Sequence, residues 1–274
     1  MKNTFKKLFI SFTVLSLTAC GSTTMQDNTF AAKENKDFTK YTNQLVVEYA
    51  KNDYTTMHQF FEHPEDYGID INNVDVSLGE FYTDNTEEIK EDQKELNKFN
   101  RSTLDKTQQT IYDELKYENE LSLKAENKKF QYLNNCWSTM SGLHQSLISV
   151  FSEYILRNEK DIQDLITLIN DVPRYTNDVL EYTKKQADKN TLQFDYDSVT
   201  QDIQDVINNK ADSSITSALY NAIDALNLDE EKTTSYKAQV KDAMDTSFFP
   251  SYQDMLDTLT SLPVSYTHLT LPTT

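Results

Sequence analysis

From Phe38 onward an apolar side chain returns every three or four residues in one segment after another, the spacing of helices that each bury a single face. Phe38, Tyr41, Leu45 and Tyr49 form the first stripe, followed by Ile89, Leu96 and Phe99 and then by Leu104, Ile111 and Leu115. Leu143, Leu147, Val150, Phe151 and Tyr154 make the sharpest one. Further stripes run through Ile162, Leu165, Ile166 and Ile169, through Tyr175, Val179 and Tyr182, through Val199, Ile203, Val206 and Ile207, and through Ile215, Leu219, Ala222, Ile223 and Leu226. Asn158, Ser213 and Asp229 stand where N-caps belong, and Pro173 and Pro250 each mark a place for a helix to begin. Only four glycines occur, at 21, 68, 79 and 142, too few for the left-handed turns of a β-rich chain. Ile69, Ile71, Val74, Val76 and Leu78 alternate with polar residues, but a lone strand has no partner, so they read as a loop between helices. With no internal repeat to suggest a solenoid, the expectation is an all-α fold, a multi-helix array of amphipathic helices.

The start of the chain has a different character. Lys2, Lys6 and Lys7 precede a short apolar run from Leu8 to Leu17, and Leu17-Thr18-Ala19-Cys20-Gly21 closes it with small residues before a cysteine. The run is too short to span a bilayer and has the three parts of a secretory signal. The box at its end is that of a bacterial lipoprotein, so residues 1–19 read as a removed signal peptide and Cys20 as the lipid attachment site, bearing a diacylglyceryl thioether and often an N-acyl chain. Several acyl chains supply the multiple signals that stable anchoring requires. The expected location is extracytoplasmic, on the membrane surface of a bacterium. Low glycine with abundant Lys, Asn, Asp and Glu points to an AT-rich, Gram-positive source. Residues 20–36 are rich in Ser, Thr, Asn and Gln and read as a flexible tether.

Charge narrows the partners. The chain carries a net −18, and loss of residues 1–19, with three lysines and no acid, brings the mature chain to −21. No Lys/Arg cluster follows Lys7, so a nucleic-acid backbone is excluded as a partner. The acids sit on helical positions, as in Glu87-Glu88, Glu91-Asp92 and Glu230-Glu231, and read as solvated faces. With Cys20 lipidated, Cys136 is the one remaining thiol. It cannot form an intrachain disulfide, and beside Trp137, with no base near it in sequence, it reads as a small core residue.

Catalytic motifs are missing from these residues. A zinc hydrolase of the H-E-x-x-H type needs two imidazoles one helical turn apart. His58 and His63 are five apart, roughly 140° around a helix of 3.6-residue period, with Pro64 expected to end that helix. His144 stands alone on its stripe and reads as a core, capping or surface residue. No glycine-rich phosphate loop or G-x-S-x-G elbow is present. Most of the sixteen tyrosines and fourteen phenylalanines lie on the stripes, which favours core packing over a sugar-binding surface. No catalytic, metal-binding or cofactor-binding residue is assigned within the chain.

In order and spacing, Met57-His58-Gln59-Phe60-Phe61, Pro64-Glu65-Asp66-Tyr67-Gly68-Ile69, Leu104 to Leu115, Ser152-Glu153-Tyr154 through Asp161-Ile162, Asp171-Val172-Pro173-Arg174-Tyr175 and Tyr252 to Leu262 resemble the N-terminal half of the bacterial domain-of-unknown-function 885 family. The resemblance covers residues 37 to 262, and residues 37–263 are taken as the helical portion of the family domain. It implies a large helical protein related to zinc metallopeptidases, whose His-Glu pair and following Pro-Gly-His lie in a second half. None of those ligands carries over onto a residue here.

Residues 264–274, Val-Ser-Tyr-Thr-His-Leu-Thr-Leu-Pro-Thr-Thr, resemble a reading frame through a sequencing-library adapter, so His268 is set aside and the native gene is expected to continue beyond Leu262. A chain cut there is expected to leave Phe248, Phe249, Tyr252 and Leu256 exposed. Two functional classes stay open. One is a surface lipoprotein forming part of a zinc-dependent, peptidase-like enzyme whose peptide substrate it helps to frame, the metal belonging to the full-length parent and this portion being inactive alone. The other is a noncatalytic helical lipoprotein that binds peptides or cell-wall components.

Overall fold

A computed structural model describes residues 33–81 and 84–262. Its regular structure is helical: α1 (Lys36–Asn52), α2 (Tyr54–Phe60), α3 (Thr86–Leu96), α4 (Lys106–Ala125), α5 (Leu143–Ser152), α6 (Glu159–Asp188), α7 (Tyr196–Asn208), α8 (Ser214–Ala225), α9 (Glu230–Ala243) and α10 (Phe249–Ser261), with short 3-10 turns between some of them. No strand occurs among the described residues, and the fold is the all-α multi-helix array that the apolar stripes require. No described helix is long and apolar enough to cross a membrane. The described residues fall into two compact units.

The first unit comprises residues 33–53, 63–74 and 84–131. Phe38 of α1, Leu96 of α3, Leu104, and Tyr112 and Leu115 of α4 are buried together, with Tyr41, Leu45, Phe99 and Ile111 packed against them. Phe38 and Phe99 meet edge to face, centroids 5.2 Å apart at 84°, the arrangement that the ring quadrupoles favour. Phe99 lies past the end of α3 and Leu104 before the start of α4, so these two stripe residues reach the core from connecting turns. A buried glutamine holds the helix starts together. Gln108 of α4 accepts from the Asn35 N–H and donates to the Asn35 carbonyl, each at 2.9 Å, while completing a capping box with Asp105.

The second unit comprises residues 54–62, 75–81 and 132–262. Its longest helix, α6, runs for 30 residues and carries Pro173 inside it, which corrects the expectation that a helix begins there. The helix starts instead at Asn158, whose side chain accepts from the N–H groups of Lys160 and Asp161 in a full capping box. An internal proline costs about 3 kcal/mol. Leu165, Leu168, Ile169 and Val172 before it and Val179 and Leu180 after it are all buried, and at roughly 1.5–3 kcal/mol for each such side chain their burial outweighs the proline. Ser213 and Asp229 cap α8 and α9 as expected.

Pro250 does stand at a helix start, that of α10. Directly before it the backbone makes one π turn, Met244–Phe248, in which the Phe249 N–H donates to the Met244 carbonyl five residues back. Proline has no N–H to continue the ladder, and the extra residue of a π turn absorbs the break. The alternating stretch forms no strand: Ile71–Asn73 is a 3-10 turn, and Leu78 donates its N–H to the Asp171 carboxylate at 2.8 Å.

The expected exposure near Leu262 is also corrected. Phe248 and Tyr252 are fully buried, Phe249 is buried and Leu256 half-buried. Phe248 meets Phe151 of α5 edge to face at 5.7 Å, and α10 packs along α7. The unit's own helices therefore cover the face.

Candidate functional site

The second unit gathers titratable side chains at the start of α6. Tyr54 and His58 lie one turn apart on α2, so both point the same way. The turn between α5 and α6 contributes Tyr154, the Ile155 carbonyl and Arg157. The first turns of α6 contribute Lys160, Asp161 and Asp164 at helical spacing.

His58 is the centre of the group. Its ring lies against that of Tyr154, centroids 4.4 Å apart at 7°, and Tyr54 stacks at 5.7 Å. Nε2 is 2.6 Å from the Ile155 carbonyl oxygen, which accepts only, so Nε2 carries the hydrogen and Nδ1 the lone pair. Nε2 therefore cannot also accept from Arg157, whose Nη1 stands 3.3 Å away, while Nη2 donates to the His58 carbonyl at 3.0 Å. Nδ1 is 3.9 Å from Asp161 Oδ1. Burial lowers the pKa of His58; the Ile155 contact and Asp161 act in the opposite sense, and the Arg157 charge adds to the lowering. The neutral imidazole is the favoured form.

The phenols below it form a second chain of bonds. Tyr54 donates to Asp164 Oδ2 at 2.6 Å, and the two tyrosine oxygens are 3.2 Å apart, so Tyr154 donates to Tyr54. Lys160 donates to the same Asp164 oxygen at 2.5 Å. Burial, first, raises the pKa of both phenols. Asp161 Oδ2 accepts from the N–H groups of Arg157 and Asn158 at 2.7 and 3.2 Å. These groups satisfy one another.

A cleft of about 140 Å³ opens beside them, with His58 and Tyr154 at its base. Gln59, Ser149 and Glu153 bring polar groups to it, and Val150 and Ile155 bring apolar surface. Ile155 is 43 % exposed, unusual for its type and available for contact. At this volume the cleft is smaller than an ordinary small-molecule site and has room for a single side chain. With Nε2 committed to a carbonyl, the basic nitrogen of His58 is Nδ1, which lies 3.9 Å from Asp161 Oδ1.

The other sites named from sequence are dispersed. The helix expected to run from His58 to Pro64 stops at Phe60, and Pro64 opens a 3-10 turn. The helical angle between His58 and His63 thus has no meaning here; His63 is exposed, 3.3 Å from Glu65. His144 is fully buried in the core, its Nε2 3.6 Å from Asp202 Oδ2, too long for a hydrogen bond. Burial lowers its pKa, against a smaller raising effect of Asp202. Cys136 is buried, as expected of a core residue, and burial pushes its thiol up to about 12, away from nucleophilic use. Trp137 is buried and donates its indole N–H to Thr183 at 2.9 Å. Cys20 with its lipoprotein box, and His268 with the adapter-like stretch, lie outside the described residues. Among the described residues, no group of three or more His, Cys, Asp or Glu side chains is placed to hold a metal ion.

Sequence reasoning did not bring Tyr54, Arg157 and Asp164 to this site. The one available signal was local: Tyr54 and His58 four apart, and Lys160 and Asp164 four apart.

The model of a bacterial protein family of unknown function, DUF885, matches residues 72–268, and the chain belongs to that family. No curated protein and no solved structure matches the chain.

Proposed function

We propose that this chain is the helical, substrate-framing part of a lipid-anchored bacterial surface protein similar to zinc-dependent peptidases, with Cys20 as the lipid-bearing residue and the zinc-binding and basic groups supplied by sequence that this chain does not contain. The observation that carries the reading is the cleft beside His58, whose rim offers Gln59, Ser149 and Glu153 with Val150 and Ile155, while the titratable groups at its base are committed to one another. Such a wall holds a peptide by polar and apolar contact and leaves bond cleavage to other groups. Zinc, once bound in the parent, would supply an activated water. The signal-like run before Cys20 and the net −18 charge support a life outside the cytoplasm.

The test has two arms. Expression of the chain in a bacterium fed a clickable palmitate analogue gives label on the wild type and none on Cys20→Ser; equal labelling removes the anchor from the reading. In the second arm, a peptide library is incubated with purified chain and zinc. Binding without cleavage, weakened by Glu153→Gln and Gln59→Ala, is expected. Zinc-dependent cleavage by this chain would overturn the assignment of chemistry to missing groups. The alternative, a noncatalytic lipoprotein that binds peptides or wall components, predicts the same binding and separates from the first at the level of the uninterrupted gene, which under it encodes no zinc-ligand motif.

A further inference from the structure

A second cleft in the same unit, independent of the one beside His58, lies where α8 faces the end of α9 and the π turn. Its volume is about 660 Å³, within the range of small-molecule sites. Three layers line it. Met244 and Phe249, both buried, form an apolar floor. Thr216, Ser217 and Tyr220, one face of α8, bring three hydroxyls. Lys210, Lys241 and Asp245 supply the charge.

The charges do not cancel. Lys210 Nζ is 3.2 Å from Asp245 Oδ1, and Lys241 Nζ is 2.5 Å from Oδ2. Two ammonium groups share one carboxylate, and Lys210 also rests over the Phe249 ring at 5.3 Å, which keeps its stem folded into the cleft. Among the lining residues one positive charge remains in excess, Asp242 being the further acid that acts on Lys241 from outside the lining. That balance is opposite in sign to the chain as a whole, which carries −18. The π turn contributes to the arrangement, because Asp245 lies within it and Phe249 directly follows it, and such turns recur at functional sites.

We propose that this cleft binds a small molecule through an oxyanion group, a phosphate or carboxylate held between Lys210 and Lys241 with the α8 hydroxyls donating to its remaining oxygens. Asp245 acts as a placeholder: it positions the two lysines and is exchanged for the stronger or additional acceptor when the ligand enters. Lysine serves such groups as a mobile point charge, which suits two lysines that must turn from Asp245 to a ligand.

The test titrates the full chain with inorganic phosphate, and in a second arm with succinate, following backbone amide shifts of Ser213 to Tyr220 and the heat of binding. Saturable shifts confined to this segment are expected, and the arm with the tighter binding identifies the oxyanion. Replacing both lysines, Lys210→Ala with Lys241→Ala, is expected to weaken binding about tenfold or more, the worth of a charge-assisted hydrogen bond. Asp245→Asn is expected to tighten it by freeing both lysines. Lys94→Ala on α3, also exposed and in the other unit, is expected to change nothing, and circular dichroism checks that each variant is folded. Absence of saturable shifts in both arms, equal losses in the Lys94→Ala control, or weaker binding in Asp245→Asn would each overturn the proposal. Because the probes contain no peptide, failure here leaves the reading of the His58 cleft untouched.

Discussion

Tyr252 donates its hydroxyl to the main-chain carbonyl of His144 at 2.5 Å, joining α10 to the first turn of α5 across 108 residues of sequence. Both residues are fully buried, and burial raises the tyrosine pKa, so the phenol stays protonated as the donor. Tyr252→Phe removes the bond and keeps the ring, and is expected to lower unfolding free energy by about 1 kcal/mol, whereas Tyr252→Ala also empties the core and is expected to lose about 3–5 kcal/mol. Urea unfolding of the three proteins measures both. Equal stability of wild type and Tyr252→Phe would show that the hydroxyl contributes nothing.

Gly142 and Gly68 separate two reasons for glycine. At Gly142 the backbone angles are ordinary for any residue, but an added Cβ would lie 2.5 Å from the Ser138 carbonyl oxygen and 2.7 Å from its nitrogen, both main-chain atoms with little room to yield. Gly142→Ala is expected to destabilise by about 1–3 kcal/mol, the range for forced overpacking. At Gly68 nothing lies within 4 Å, but φ is +73°, a left-handed turn that caps the Pro64–Tyr67 segment. Gly68→Ala is expected to cost about 1 kcal/mol, and Gly68→Asn less, since asparagine tolerates that region. Thermal melts of the three variants test the ranking, and a Gly142→Ala protein as stable as Gly68→Asn would refute the steric reading.

The helical class was legible because its signal is periodic and redundant: each stripe repeats the same 3.6-residue message, and Asn158, Ser213 and Asp229 mark starts through local hydrogen bonds that depend on a few neighbouring residues. What failed was non-local. Whether a helix stops at Pro173 depends on what the residues either side of it bury, and the stripe Ile162 to Ile169 continues into Val172, Thr176 and Val179 on the same buried face. The exposure expected of Phe248 and Tyr252 assumed that their cover lay outside the chain, whereas α5, α6 and α7 were available within it. The site around His58 was the least legible part. It joins α2 to α6 over about a hundred residues, and its key acceptor, the Ile155 carbonyl, is a main-chain atom that every residue possesses and no spacing announces.

The buried, neutral state of His58 has a consequence for acid stability. Its pKa is lowered in the folded chain relative to the ordinary value of about 6.5 in the unfolded one. As pH falls through that value the unfolded chain takes up a proton that the folded chain refuses, so stability declines with falling pH until the folded-state pKa is reached. His58→Gln can keep a donor for the Ile155 carbonyl and has no proton to gain. The wild type is therefore expected to lose stability against His58→Gln below about pH 6.5, with a slope of at most about 1.4 kcal/mol per pH unit. His144 and the many carboxylates are common to both proteins and cancel in the difference. Urea unfolding at half-unit steps from pH 7.5 to pH 5 provides the comparison; two curves that run parallel would mean that His58 is protonated as readily in the fold as out of it.

Pro173 offers a prediction of opposite sign. Proline inside α6 leaves the Ile169 carbonyl without its usual donor and crowds the preceding turn. On one side of it Arg174 binds Asp171 at 2.6 Å and donates to the Gly79 carbonyl at 2.7 Å, so the local geometry is held by contacts that do not involve the proline ring. Pro173→Ala restores the missing N–H and keeps those contacts. The gain from a better helix former, up to about 3 kcal/mol, exceeds the loss of about 1 kcal/mol from the freer unfolded chain. A net stabilisation of about 1–2 kcal/mol is expected, read as a rise in melting temperature with unchanged helical content. If the variant melts below the wild type, the proline ring is itself required for the packing of α6, and the contacts of Asp171 and Arg174 with residues 78–79 are the first place to look for the damage, through the loss of amide protection at Leu78.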